Sequence, residues 1–324
     1  MRTRFAAVAA MLTLLLAAMP VAAVTKGGTL DAGEHPHVGQ LLFYVPDAPT
    51  SLYPDPGGWF SCSGTLVSAT VVVTAGHCTF AIGLDGVSTT TEDNRTTAED
   101  GNGSGGNDVW FSLNEAIGPG PADDHWDGFP ATFDAAGNLT FPTQQARYEA
   151  RRDWANGNAL WTRATSFPHP LYDDLAFYLH DAGVIVLDEA QAGPFATVAG
   201  EDYLQKYAGA RNEHRFEVVG YGLEKVLPFA DFGGDTRMKA EPKLNNLVSN
   251  PKDTYIILSN NVHTGGTCFG DSGGPTFDTT DSLLLVAVTS FGFSPNCTGV
   301  GGAYRLDQPD DLAFLADFGI TPAP

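Results

Sequence analysis

Short runs of β-branched, aromatic and aliphatic residues recur along most of the chain, and clusters of glycine, proline, asparagine and aspartate separate them. Many short strands with frequent turn residues are typical of β-sandwiches and β-barrels. The runs with the strongest β pattern are Val38–Val45, Gly64–Thr74, Val109–Leu113, Gly183–Leu187, Phe216–Tyr221, Tyr255–Ser259, Leu283–Phe291 and Gly301–Leu306. The pattern therefore predicts an all-β protein.

Three segments depart from the strand pattern. Residues 89–107 are polar and glycine-rich, and we expect a mobile surface loop because they cannot bury enough apolar surface to offset their ordering entropy. Residues 114–160 are also loop-rich, and their pattern assigns no element. Residues 309–318 predict a closing helix, with two aspartates in the first turn and apolar side chains on one face.

The N-terminus predicts an export signal. Arg2 and Arg4 precede an apolar stretch at 6–18, and small residues lead to a favoured cleavage site after Ala23. The alternative, an uncleaved membrane anchor, is disfavoured because the apolar run is short and is broken by Pro20. We therefore expect residues 1–23 to be a signal peptide. The mature chain, residues 24–324, would be secreted to an extracellular or periplasmic location, without membrane attachment.

The charge balance excludes some classes of function. The 324 residues carry 17 Lys and Arg against 38 Asp and Glu, a net charge of −21. Nucleic-acid binding needs clustered cations, and anionic membranes repel such a chain. With 43% hydrophobic residues the chain can still form a sizeable core. The four cysteines suit two disulfides in an oxidising compartment.

Three segments carry reactive side chains: Thr74–Cys78 (TAGHC), Asp181–Leu187 (DAGVIVL) and Cys268–Pro275 (CFGDSGGP). Taken alone, each segment has an ordinary structural interpretation: a structural histidine, a solvated strand end and a tight glycine turn, respectively. Together they supply what nucleophilic acyl transfer by a serine requires. A histidine takes the serine proton, a carboxylate orients the histidine, and backbone N–H groups stabilise the oxyanion.

The serine segment also fits G-x-S-x-G, the nucleophile elbow of α/β-hydrolases. In those enzymes the catalytic histidine follows the serine in the chain. No histidine follows Ser272, and the strand pattern has no regular alternation with helices, so this reading is excluded.

In their amino-acid sequences and their order along the chain, the three segments resemble the chymotrypsin/trypsin-like serine endopeptidases, especially the secreted bacterial-type members. The resemblance implies two six-stranded antiparallel β-barrels with a C-terminal helix and an active site in the cleft between them. The N-terminal barrel would span about 38–195 with long loops at 84–108 and 114–160. The C-terminal barrel would span about 200–306, and the helix about 309–318.

The resemblance also implies residue roles. His77 would be the general base and acid, Asp181 the orienting carboxylate and Ser272 the nucleophile, with the N–H groups of Gly270 and Ser272 forming the oxyanion hole. Asp181 is preferred over the rival acids because it alone opens an apolar run like that of the family. Those rivals are Asp173, Asp174 and Asp188.

Four cysteines allow three pairings, and the resemblance selects Cys62–Cys78 and Cys268–Cys297. In the family a freed N-terminal amine pairs with the acid before the catalytic serine, here Asp271. Cleavage after Ala23 would expose Val24, so we hypothesise that signal removal itself creates the activating terminus. The alternative is that Val24 begins a loose tail.

The resemblance places the floor of the specificity pocket at Gly266, with Thr267 beside it and walls from Ser290, Phe291, Gly292 and Gly302. A floor without a carboxylate cannot pair a substrate Lys or Arg. We expect a neutral, roomy pocket that prefers an aromatic or large apolar residue before the scissile bond. The alternative is that an acid from elsewhere in the chain, such as Asp278 or Asp281, reaches into the pocket and makes it negatively charged.

The expected function is secreted serine endopeptidase, acting on protein or peptide substrates without an organic cofactor or a metal. One alternative is a catalytically silent relative that binds a protein partner through the same cleft, and another is an esterase-like hydrolase. The sequence leaves the oligomeric state open. His35 and His37 are expected in a surface turn rather than as metal ligands.

Overall fold

The computed structural model describes residues 27–84, 105–117, 126–227, 230–249 and 252–324. The predicted signal peptide, Val24 and most of the predicted loop at 84–108 lie outside these residues. None of the helices within the described ranges combines the length and apolar character needed to span a bilayer.

The N-terminal half forms a closed barrel of six antiparallel strands. A short strand β1 (Thr29–Leu30) precedes it, and the barrel strands are β2 (Val38–Val45), β3 (Gly58–Leu66), β4 (Val71–Thr74), β5 (Val109–Ser112), β6 (Thr162–Pro168) and β7 (Gly183–Leu187). Their order around the barrel is β2-β3-β4-β7-β6-β5. Side chains such as Leu41, Val73 and Ile185 are fully buried in its core.

The C-terminal half is built on a nine-stranded sheet. The strands of this half are β8 (Thr197–Val198), β9 (Phe216–Gly220), β10 (Leu223–Leu227), β11 (Ala230–Gly233), β12 (Met238–Ala240), β13 (Leu244–Ser249), β14 (Lys252–Asn260), β15 (Pro275–Asp278), β16 (Asp281–Gly292) and β17 (Gly299–Arg305). The path of the sheet runs β1-β12-β9-β15-β16-β17-β14-β13, β8 pairs in parallel with β16, and β10 and β11 form a separate hairpin.

This sheet rolls up until strands β12 and β13 follow one another end to end. Strands β12 and β13 are separated only by residues 241–243, and both ends of this link bond the segment leading into β9. The Phe216 N–H donates to the Pro242 carbonyl at 3.0 Å, and Arg215 bridges Lys243. Pro242 has no N–H to continue the ladder. The second barrel is thus a rolled sheet interrupted at a proline, rather than a continuous ring.

Two helices complete the fold. Helix α1 (Gln144–Gly157) lies in the segment that the sequence pattern left unassigned, and its cap is Thr143, whose Oγ1 accepts from the Ala146 N–H at 3.1 Å. Helix α2 (Pro309–Ala316) matches the predicted closing helix and ends two residues earlier.

The predicted disulfides are confirmed. Cys62 is bonded to Cys78, and Cys268 is bonded to Cys297. The first joins β3 to the turn after β4, and the second joins the turn before β15 to the segment before β17.

The expected surface turn at His35 and His37 is wrong, because both side chains are about 1% exposed. They lie at the junction of the two halves, where the Asp31 carboxylate accepts from the His35 backbone N–H at 3.0 Å and contacts its ring at 2.5 Å. Arg237 donates to Asp31 at 2.8 Å and to the carbonyl of Val38 at 3.0 Å. A charged cluster therefore replaces the expected solvated turn.

Candidate active site

His77 lies in a single 3₁₀ turn, Gly76–Cys78, directly after β4. Its backbone N–H donates to Asp181 Oδ1 at 2.9 Å, and its Nδ1 lies 3.1 and 3.0 Å from the two carboxylate oxygens. The neighbouring disulfide of Cys78 holds the same turn. The ring is therefore oriented from both the backbone and the side chain.

Asp181 precedes β7 and is fully buried. Besides His77, it accepts a hydrogen bond of 2.5 Å from the Ser290 hydroxyl. Burial by itself lowers the pKa of His77, but the attraction of the Asp181 carboxylate outweighs it, so the pKa of His77 is raised above its usual value. Asp181 therefore favours a proton on His77.

The rival acids lie elsewhere. Asp173 caps a short turn by accepting from the Leu175 N–H at 2.9 Å, and Asp174 and Asp188 are exposed. Of the four candidates, Asp181 alone bonds His77 within the described ranges.

Ser272 lies in the glycine-rich turn before β15 and is partly exposed. Gly270 and Gly273 have φ values of +97° and +74°, which favour glycine. A Cβ at Gly273 would also overlap the hydroxyl of Thr74. The turn can therefore form only with glycine at these points.

Within the described part of the chain, this turn leaves two N–H groups without acceptors. The N–H groups of Asp271, Gly273 and Gly274 donate to backbone carbonyls, whereas those of Gly270 and Ser272 donate to no acceptor among the described residues. Unpaired N–H groups beside a serine hydroxyl are what an oxyanion hole requires.

Ser63 holds this turn against the N-terminal barrel, and it was not among the residues predicted from the sequence. Its N–H donates to the Ser272 carbonyl at 2.8 Å, and its hydroxyl donates to the Gly270 carbonyl at 2.9 Å. Its position next to Cys62 was the available signal, because that disulfide leads directly to the histidine turn.

Asp271 is buried, and its carboxylate accepts from the N–H groups of Gly222 and Cys268 at 2.8 and 2.7 Å. Burial raises the pKa of Asp271 to about 7, although the two N–H donors lower it. Its predicted partner Val24 lies outside the described residues, so the pair stays a prediction.

A cavity of about 160 Å³ opens beside Ser272. Four of the predicted substrate-binding residues line it, namely Thr267, Ser290, Phe291 and Gly292. No charged side chain is among the described residues of its lining. It is therefore a neutral pocket next to the serine hydroxyl.

Comparison with known proteins agrees with this arrangement. The family model described as Trypsin matches residues 148–307. Over these residues the chain matches the trypsin family, and the fold around them is that of the chymotrypsin/trypsin-like proteins. The match includes Asp181 and Ser272, while His77 lies before it. No curated protein matches the sequence significantly.

Two solved structures illustrate the likeness of fold. A collagenase (HL collagenase) is 16% identical with a TM-score of 0.51, covering 91% of this chain and 98% of its own. Human heparin binding protein is 15% identical with a TM-score of 0.52, covering 92% and 99%. At such low identity, these neighbours support the shared fold alone.

Two predicted pocket residues of this trypsin-like chain do not line the cavity. Gly266 is covered by the side chain of Asn260, and Gly302 is covered by the ring of Phe291, so that a Cβ at either glycine would overlap that side chain. Both glycines instead line a separate space of about 10 Å³ behind the pocket. The predicted floor and one predicted wall are therefore wrong.

A larger cavity of about 480 Å³ reaches the backbone of Gly270. Its lining includes Trp126, Phe129, Arg147 and Arg151, all from the segment for which the sequence pattern assigned no element. Helix α1 carries both arginines, and their side chains are about 95% buried. The long insertion of this trypsin-like chain therefore builds a wall of a cavity that adjoins Gly270, while His77 and Ser272 are not among the described residues of its lining.

Proposed function

We propose that the protein is a secreted serine endopeptidase that cleaves peptide bonds through an acyl-enzyme. The observation that carries this proposal is the buried Asp181 carboxylate, which holds His77 through three contacts of 2.9 to 3.1 Å. The order of the three motifs and the Trypsin family match support the same assignment. Trypsin-like proteins act on protein or peptide substrates.

In the proposed reaction, Ser272 Oγ attacks the peptide carbonyl carbon while His77 Nε2 takes its proton. Asp181 keeps the ring oriented and stabilises the imidazolium, in line with the raised pKa of His77. The N–H groups of Gly270 and Ser272 donate to the oxyanion. The C–N bond then breaks, His77 gives its proton to the leaving amine, and water hydrolyses the ester by the same steps reversed.

The neutral cavity beside Ser272 supports a preference for an uncharged residue before the scissile bond. Its volume of about 160 Å³ is close to the roughly 150 Å³ of an engineered apolar cavity that binds benzene. An aromatic or large aliphatic side chain is therefore the proposed preference. The backbone at Ser290–Gly292, at the end of β16, would pair with the extended substrate.

The proposed activation step uses Asp271. A buried carboxylate is costly unless a cation compensates it, and burial raises the pKa of Asp271 to about 7. An ammonium group at Val24, freed by signal cleavage, would supply that cation. Pairing would then hold the turn that carries the oxyanion donors.

The test is an intact mass of the secreted protein before and after a fluorophosphonate, which labels activated serines. The expected result is a chain starting at Val24, with four oxidised cysteines and one label on Ser272. The Ser272→Ala variant is the matched control and should take no label. A correct start without labelling would favour the silent binding protein, and a fully active protein starting several residues away would overturn the Val24 step.

A further inference from the structure

The side chain of Asn260 closes the bottom of the cavity beside Ser272. It stands at the last position of β14, where it pairs with Gly299 of β17. Its Nδ2 donates to the Thr267 carbonyl at 2.7 Å, and the residue is about 3% exposed. Because the sheet register and this hydrogen bond both hold it, the side chain has a defined position.

Asn260 occupies the place predicted for the pocket floor. A Cβ added at Gly266 would overlap Cγ of Asn260, and would lie 2.6 Å from its Oδ1. The amide therefore rests directly on the Gly266 backbone and separates it from the pocket. The effective floor comes from a strand end twelve positions before Ser272.

Asn260 also separates the pocket from other empty spaces. It lines the 160 Å³ pocket, the space of about 10 Å³ below it, and a further cavity of about 250 Å³. The last cavity lies between β10 and the segment Asn296–Gly299, and among the described residues it shares only Asn260 and Cys297 with the pocket. Cys297 is fixed by its disulfide, so Asn260 is the replaceable part of this wall.

We propose that Asn260 sets the depth of the specificity pocket and limits the residue before the scissile bond to about the size of a phenyl ring. The inference rests on the proposed function and refines its substrate class. Removing the three terminal atoms of Asn260 joins the pocket to the space over Gly266 and to the cavity behind it. The pocket then admits a bicyclic side chain.

The test compares Asn260→Ala with Asn261→Ala on a set of peptides that differ only in the residue before the scissile bond. Asn261 is the matched control because it is exposed and lines the 250 Å³ cavity but not the pocket. For Asn260→Ala, we expect the ratio of kcat/KM for Trp to that for Leu to rise at least about tenfold. The scale follows from hydrophobic pockets, where one methylene changes specificity by roughly 10–200-fold.

An unchanged ratio in Asn260→Ala, with normal fluorophosphonate labelling, would overturn the role of Asn260. So would an equal rise in Asn261→Ala. A second readout does not depend on catalysis: binding of indole and benzene, measured by ligand-observed NMR on Ser272→Ala with and without Asn260→Ala. Indole binding should appear or tighten only in the double variant. If the wild type neither cleaves nor labels, the proposed function fails, and the NMR comparison still decides the pocket.

Discussion

The buried histidine at the junction of the two halves predicts how stability depends on pH. His35 lies between the carboxylates of Asp31, at 2.5 Å, and Glu217, at 3.3 Å. Burial alone lowers the pKa of His35, but these two acids outweigh it and raise the pKa to about 9. Against an unfolded pKa near 6.5, and at about 1.4 kcal/mol per unit, the protonated cluster stabilises the fold by about 3 kcal/mol.

The sign follows from the raised pKa. The contribution of His35 is fully present below pH 6.5 and is lost as the pH rises through 9. The other titratable groups that face His35 change protonation at lower pH. Burial lowers the pKa of His37 to about 4. The pKa of Asp31 is about 2 despite its burial, because His35 and Arg237 stabilise the carboxylate charge. The pKa of Glu217 is lowered by His35 and Lys239, although burial opposes this shift. Within this cluster, the alkaline loss is therefore assigned to His35.

The assay is urea unfolding of the Ser272→Ala protein, which prevents self-digestion, between pH 6 and pH 10. The free energy of unfolding should fall by about 3 kcal/mol across this range. In His35→Gln, which removes this titrating group, that part of the fall should be absent, and the smaller loss that remains is assigned to His77 and Asp271, whose pKa values are also raised. His263→Gln, at an exposed histidine, should behave as the parent protein does. Parallel curves for the parent and His35→Gln would refute the reasoning.

Three further substitutions test the site. Asp181→Asn should reduce kcat on the order of 10⁴-fold, because the amide orients the wrong tautomer of His77; a loss under tenfold in steady-state assays would contradict this role. Ser290→Ala leaves a buried oxygen of Asp181 without its hydroxyl donor, so kcat should fall about tenfold with little change in KM; an unchanged kcat would count against it. Gly273→Ala would hold an alanine at φ near +74° with its Cβ overlapping the Thr74 hydroxyl, so thermal unfolding should show a loss of stability of at least about 2 kcal/mol. Normal stability would mean that the turn relaxes.

Strands with a continuous apolar pattern were predictable. Val38–Val45 and Gly183–Leu187 have the predicted bounds, since both are almost wholly buried and are bounded by turn residues. The strand Thr162–Pro168 was missed because its alternating burial is carried by alanine, serine and proline rather than by large apolar residues. Its pairing with two neighbours, rather than its own composition, makes it a strand.

Helix α1 was missed for a related reason. Its buried face carries Arg147, Tyr148 and Arg151, so no apolar stripe marks the helix in the sequence. The guanidinium of Arg151 lies 4.4 Å from the centre of the Phe129 ring and donates to the Pro130 carbonyl at 2.9 Å. Such contacts exist only after distant segments have come together.

The candidate catalytic residues were predictable because short motifs hold them, whereas the pocket was predicted only in part. Three of the predicted residues do line the cavity. Thr267 directly precedes the serine motif, and Ser290 and Gly292 lie at the end of a predicted strand. Asn260 could not be predicted from the sequence, because the register between β14 and β17 brings it to the cavity. Side chains that reach a site across a sheet leave no spacing signal in the sequence.

Arg237 has a consequence for how the molecule comes apart. Its guanidinium donates to Asp31, to the carbonyls of Val38 and Leu113, and to the hydroxyl of Tyr221. Those acceptors belong to the N-terminal segment, the closed barrel and the rolled sheet. Separating the halves would break its charged hydrogen bonds to the Val38 and Leu113 carbonyls, which are typically worth roughly 1.5–3 kcal/mol each. The two halves should accordingly melt together in one cooperative transition, and neither should persist as an independent folding unit after a cut between them.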